Sequence, residues 1–195
     1  VYVQDFTLQT ANPIFDLTVG LNRNSQVVTQ SLIREDVSTG KLFFASSSLM
    51  IREKIDIYRQ YSANLLGNAD DSFFAPLSET STHARIDEAV FLSFKRLFVR
   101  DGIKRETFAL RVFKSASLMQ EGGTVAANLN RTSEVGSDVV TDLGAASSQR
   151  RLFGGEVGEL VLASNTNIKA GLIFYNAGCV VLDAKRIFSG SQHIA

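Results

Sequence analysis

An α+β fold that is β-rich, with sandwich-like antiparallel sheets and one long helix, follows from three features of the chain. Short apolar stretches alternate with polar residues between turn signals over most of its length. One segment, 48–66, carries an apolar period of 3.6. Two late stretches, 170–175 and 179–183, are apolar on both faces, as in the middle of a sheet. The 195 residues suit a single domain, 1–195.

Taken in order, Val1, Val3, Phe6 and Leu8 read as extended, and Asn12-Pro13 ends that run. Residues 15–21, with Leu17 and Val19 on one side, form a second short strand, and 27–35 a third. Ser38-Thr39-Gly40 predicts a turn into a fourth strand, 41–45, with Gly40 suited to a hairpin. The helix then starts behind the capping oxygens of Ser46, Ser47 and Ser48 and stops at Gly67, a natural C′ residue. Ile51, Ile55, Tyr58, Ser62 and Leu65 form its core stripe. Ile57 and Tyr61 widen that stripe, toward either a neighbouring subunit or the chain's own core.

Residues 68–84, rich in Ser and Thr, read as a loop. Residues 88–98 alternate and predict a strand, with a helix from Ile86 as the competing assignment. Asp101-Gly102 marks a turn, after which 107–113 is a strand with Phe108, Leu110 and Val112 inward. From about 115 to 158 Gly, Ser, Asn and Thr dominate. This is long for a loop and is expected to be a polar excursion, or arm, over a surface, anchored by Arg150 and Arg151 to carboxylates. A strand at 159–163, a turn at 165–167 and a hairpin around Asn176-Ala177-Gly178 end the fold.

The net charge of zero is unevenly distributed. Residues 1–94 carry seven basic and eleven acidic groups, and 115–195 six and seven. Between them, residues 95–114 hold Lys95, Arg96, Arg100, Lys104, Arg105, Arg111 and Lys114 against Asp101 and Glu106. Such a stripe fits an acidic partner surface, or a solvated strand–turn–strand with charged outward positions. A pI near 6.9 speaks against nucleic acid as the partner. The apolar runs are far shorter than the roughly 20 residues of a membrane helix. The opening residues lack the pattern of a signal or transit peptide, and a start at Val1 fits either processing or a longer polypeptide.

Catalytic equipment is sparse. One cysteine excludes an internal disulfide, and two histidines, His83 and His193, offer little to a metal site or a catalytic triad. Phosphate-loop, dinucleotide, zincin and nucleophile-elbow motifs are missing. Cys179 lies in an apolar run and reads as a small buried hydrophobe. Glu35-Asp36, Asp70-Asp71 and Asp87-Glu88 are adjacent carboxylates, but sequence neighbours do not define a glycosidase pair, and no calcium-loop spacing surrounds Asp70-Asp71. No catalytic residue, cofactor or metal is expected.

Three stretches together carry a resemblance. They are Lys41-Leu42-Phe43-Phe44-Ala45-Ser46 leading into the helix 51–61; Ile86-Asp87-Glu88-Ala89-Val90-Phe91-Leu92-Ser93-Phe94-Lys95-Arg96-Leu97 with Asp101-Gly102-Ile103-Lys104-Arg105-Glu106-Thr107-Phe108-Ala109-Leu110; and Ala170-Gly171-Leu172-Ile173-Phe174-Tyr175 running to Leu182. Over roughly 41–113 and 158–188 the chain resembles domains of virion structural proteins of tailed marine phages, including contractile-tailed cyanophages, although it is shorter than the long relatives of that type. The resemblance implies a non-enzymatic subunit of the virion, assembled in the host cytoplasm, in the tail or baseplate. The alternatives it leaves are a neck or capsid-surface protein, or a carbohydrate- or receptor-binding module at a particle tip. Its partners would be other copies and other virion proteins. The contact residues expected are Lys95, Arg96, Arg100, Lys104, Arg105, Arg150, Arg151, Ile57 and Tyr61, with the basic segment of one subunit meeting an acidic surface from 1–94 of the next.

Overall fold

The structure is a computed structural model and describes residues 14–26, 28, 34–35, 42–43, 47–77, 84–95, 102–113, 137–147 and 150–187. The first expected strand, 1–8, lies outside them, as do Arg96, Arg100, His83 and His193. The described residues are β-rich and antiparallel. Their strands are β1 (Phe15–Leu21), β2 (Arg34–Glu35), β3 (Leu42–Phe43), β4 (Glu88–Phe94), β5 (Ala109–Phe113), β6 (Ser137–Thr141), β7 (Arg150–Leu152), β8 (Gly155–Leu162), β9 (Asn165–Phe174) and β10 (Cys179–Asp183). Helix α1 spans Ser47–Leu66 and the short α2 spans Ala184–Ile187.

Eight strands form one sheet in the order β1-β4-β10-β9-β8-β6-β5, with β7 also paired to β8, while β2 and β3 make a separate ribbon. The sheet is strongly curled. Five steps separate β4 from β5, which in a flat sheet would be roughly 24 Å at about 4.8 Å per step. Yet Phe94, at the end of β4, and Phe108, just before β5, meet edge to face with ring centroids 6.3 Å apart.

The curl divides the apolar residues in two. Val90, Leu92, Val140, Leu160, Ile173, Val180 and Leu182 fill its inside, with Ala184 and Ile187 of α2. Ala89, Phe91, Leu172, Phe174, Cys179 and Val181 face outward and are covered by Tyr58 and Leu65 of α1 and by Phe73. Each residue along β10 is therefore buried, on alternating faces, as its apolar run predicts for a central strand. Phe108 is buried inside the curl, with Leu110 and Val112 packed against the same core.

Helix α1 lies across β1 and β4. Gly20 allows the approach, because a Cβ there would sit 2.7 Å from Cε2 of Phe91 and 3.1 Å from the backbone of Tyr58. Gly67 ends the helix in the left-handed region at φ 91°, and its N–H reaches the Ala63 carbonyl at 3.2 Å. Tyr58 fixes the seating. Its hydroxyl donates to the Ile86 carbonyl (2.9 Å) and accepts from the Phe73 N–H (3.1 Å), and burial raises its pKa.

Three expectations are corrected. Residues 137–158 are not an arm over a surface, since they supply β6, β7 and the start of β8 to the sheet; residues 114–136 lie outside the described set. Within 27–35, Val28 is helical, like Gln26 before it, and its N–H is capped by Ser25 Oγ at 3.2 Å; Arg34–Glu35 is strand, and the other residues of that span lie outside the described set. The turn before β9 falls at Ala163 and Ser164, so Asn165 already lies on the strand. The competing helix from Ile86 is not formed, because Glu88–Phe94 pairs on both sides, with β1 and β10.

Tyr58→Phe removes the hydroxyl and leaves a buried N–H and a buried carbonyl unpaired. Urea unfolding is expected to show a loss of about 2 kcal/mol with an unchanged m-value.

Candidate interaction surfaces

The basic residues do not form an unbroken stripe. Lys95 pairs with Asp16, and Arg105 Nη2 lies 2.5 Å from Glu156. Arg150 donates to the Leu77 carbonyl from β7. Lys104, Arg111 and Arg151 are exposed. The Lys95–Asp16 pair joins the basic segment to the acidic region 1–94 within one chain, where contact between subunits was expected. Ile57 and Tyr61 also turn inward: both pack on the outer core, and Tyr61 stacks on Phe91 at 4.1 Å with an interplanar angle of 3°.

Buried polar groups hold loops. Asp142, fully buried after β6, accepts from the backbone N–H of Glu106 (2.7 Å) and of Phe108 (3.1 Å) and from the Tyr175 hydroxyl (3.1 Å). Burial and the neighbouring Asp142 charge raise the Tyr175 pKa, so its proton stays on oxygen to donate. The carboxylate thereby pins the turn before β5, where Glu106 adopts φ 57°, to the end of β9. Asp183 caps α2 through the Lys185 N–H (3.0 Å) and meets Arg186 Nε at 3.3 Å; burial raises its pKa. Both carboxylates are buried and hold backbone and side-chain groups of the fold.

Two open clefts flank α1. One, of about 460 Å³, has an apolar floor including Leu66, Phe74, Leu152 and Leu172, with Asp70, Asp71, Ser72 and Arg150 around it. Its carboxylates are engaged, Asp70 by Arg59 (3.3 Å) and Asp71 by Asn68 Nδ2 (3.1 Å). The other, of about 370 Å³, lies beside Tyr61, Ser93 and Cys179. Burial raises the Cys179 pKa, and its thiol lies 3.8 Å from Ser93 Oγ. Among the described residues no three His, Cys, Asp or Glu converge on a metal position, and no helix is long and apolar enough to cross a membrane.

The sheet edge at β1 is different. Its register with β4 runs from Phe15 opposite Phe94 to Leu21 opposite Glu88. The Ile14 carbonyl accepts from Lys95 N–H (2.9 Å), and Asn22 N–H donates to the Asp87 carbonyl (2.7 Å). Backbone groups of the even-numbered residues therefore point to β4, and those of Phe15, Leu17 and Val19 to the other side, where no strand pairs with β1 among the described residues. The side chains of these three belong to the inner face, where Val19 packs on the core, but Phe15 is 43% and Leu17 59% exposed because the curl stops short of covering them. Sequence reasoning identified this strand and missed its role as an edge. The available signal was the half-polar run Asp16-Leu17-Thr18, unlike the uniformly apolar β10.

Set against protein families, characterised proteins and solved structures, the chain matches none.

Asp142→Ala leaves two backbone N–H groups and a buried hydroxyl unpaired and is expected to cost about 3 kcal/mol in denaturant unfolding, with Asp142→Asn, which keeps one acceptor, costing less. Because its thiol is buried and protonated, Cys179 is expected to react with iodoacetamide in the native protein only as fast as the structure opens, and rapidly in urea.

Proposed function

We propose that this protein is a non-enzymatic structural subunit of a tailed-phage particle, placed in the tail or baseplate and acting through contacts with other copies and with neighbouring virion proteins. The observation that carries the reading is the β1 edge, where exposed apolar side chains coincide with backbone groups that no other strand pairs among the described residues. Edges of this kind template strand pairing with another chain. The buried carboxylates support the reading from the other side, since Asp142 and Asp183 are engaged in holding the fold. The segments that resemble virion proteins are the same ones that build α1, β4, β9 and β10, the frame around both cores. Contacts made by apolar strand edges would be insensitive to charge screening, because Lys95 and Arg105 already have partners within the chain.

Quantitative mass spectrometry of purified particles is expected to find this chain at a fixed stoichiometry that survives a wash in about 1 M salt, where the Debye length falls to about 3 Å. Absence from particles, or turnover or glycan binding by the isolated chain, would overturn the assignment.

A further inference from the structure

We infer that Arg150 and Glu159 form a latch on the Leu77 peptide, and that its release lifts Leu77 off the outer core and opens the larger cleft beside α1 while the sheet stays in place. The inference goes beyond the structural-subunit reading and does not depend on it. The latch grips both polar groups of one residue's backbone. The Leu77 N–H donates to Glu159 Oε1 on β8 (2.7 Å), and Arg150 Nη1 on β7 donates to the Leu77 carbonyl. These partners lie 82 and 73 positions away in sequence. Lys169 Nζ of β9 stands 3.3 Å from Glu159 Oε2 and holds that carboxylate from its other oxygen.

Residues 73–77 are anchored unevenly. Their base is buried: Phe73 and Ala75 are almost inaccessible, and the Phe73 N–H reaches the Tyr58 hydroxyl. Two backbone rungs, from Ile86 N–H to the Phe73 carbonyl and from Ala75 N–H to the Ala84 carbonyl, are 2.8 Å each. At the far end Leu77 is only half-buried, and among the described residues its peptide is held by the two charged side chains, of which Arg150 is exposed. Local opening begins where buried apolar contacts are few and the hydrogen bonds lie near solvent. That describes Leu77 and excludes Phe73. Leu77 is also a wall of the cleft of about 460 Å³, together with Phe74, Leu66, Leu152 and Leu172, and Arg150 lines the same space. Side chains do not fill the space beside Leu77, so its release forfeits less packing than release of Phe73 would. The latch thus makes charged groups the control on access to an apolar floor.

Amide hydrogen exchange of the full chain, followed residue by residue by NMR, tests the latch. Arg150 acts on Leu77 as a donor, so Arg150→Ala takes an acceptor away from no backbone N–H. A contact without control over the opening would leave exchange at Leu77 as in wild type. The latch instead predicts that the Leu77 amide of Arg150→Ala exchanges about tenfold or more faster, with Ala75, Ile86 and the central-strand Val181 unchanged. The double variant Arg150→Ala/Glu159→Ala is expected to raise the fluorescence of the dye ANS, which reports accessible apolar surface, at unchanged far-UV circular dichroism. An unchanged Leu77 rate in Arg150→Ala, an equal acceleration at Ala75, Ile86 and Val181, or no gain of dye fluorescence in the double variant would each overturn the proposal.

Discussion

Burial of the central strands on both faces is the constraint on which this structure depends. Along β10 and the second half of β9 every residue is buried, so one sheet must carry two cores. The sheet covers the first by curling on itself until Phe94 meets Phe108, and α1 covers the second by lying across β1 and β4. Neither cover suffices alone. A flat sheet would leave Val90, Leu92 and Ile173 to water, and a curled sheet without α1 would expose Phe91, Phe174 and Val181. Fully burying each such side chain is worth roughly 1.5–3 kcal/mol, so either core outweighs the net stability of an ordinary domain before chain entropy is counted.

Two buried polar nodes lock these covers in place. Tyr58 binds α1 to the Phe73 and Ile86 backbone on the outer side, while Asp142 ties the turn before β5 to Tyr175 on the inner side. Each holds segments distant in sequence whose backbone groups would otherwise be buried and unpaired. The cost of leaving such groups unpaired specifies a single arrangement more sharply than the apolar contacts around them do.

The elements legible in the sequence are those where pattern and packing agree. Strand β1, the continuous apolar β10, the inward trio Phe108, Leu110 and Val112, and a helix ending at Gly67 could all be read from periodicity and caps. The misreading of 137–158 has a specific origin. At Gly154, Gly155 and Gly158 glycine reflects tight packing, which composition mistakes for looseness. A Cβ at Gly158 would sit 2.4 Å from the Tyr175 hydroxyl, and one at Gly154 would sit 3.0 Å from the Leu65 backbone. Residues chosen for what their neighbours occupy carry no periodic signal of their own. The same holds for the basic segment: Lys95 and Arg105 look like a free stripe in sequence, and their partners Asp16 and Glu156 lie 79 and 51 positions away.

That placement of charge bears on how subunits would recognise one another. Opposite charges segregated along a neutral chain suggest attraction between molecules, but here the fold brings pairs of them together within one molecule. Surface pairs of this kind contribute about 0–1 kcal/mol and are screened by salt. Under the proposed structural role, selectivity would rest on strand register. At an edge where every second side chain is apolar, a slip of one residue turns Phe15 and Leu17 away from the inner face and brings Asp16 onto it. Register error is thus penalised by burial of a carboxylate, a larger and less salt-dependent effect than the loss of a surface ion pair. An edge patterned like β1 can therefore discriminate among partners even though the chain as a whole carries no net charge.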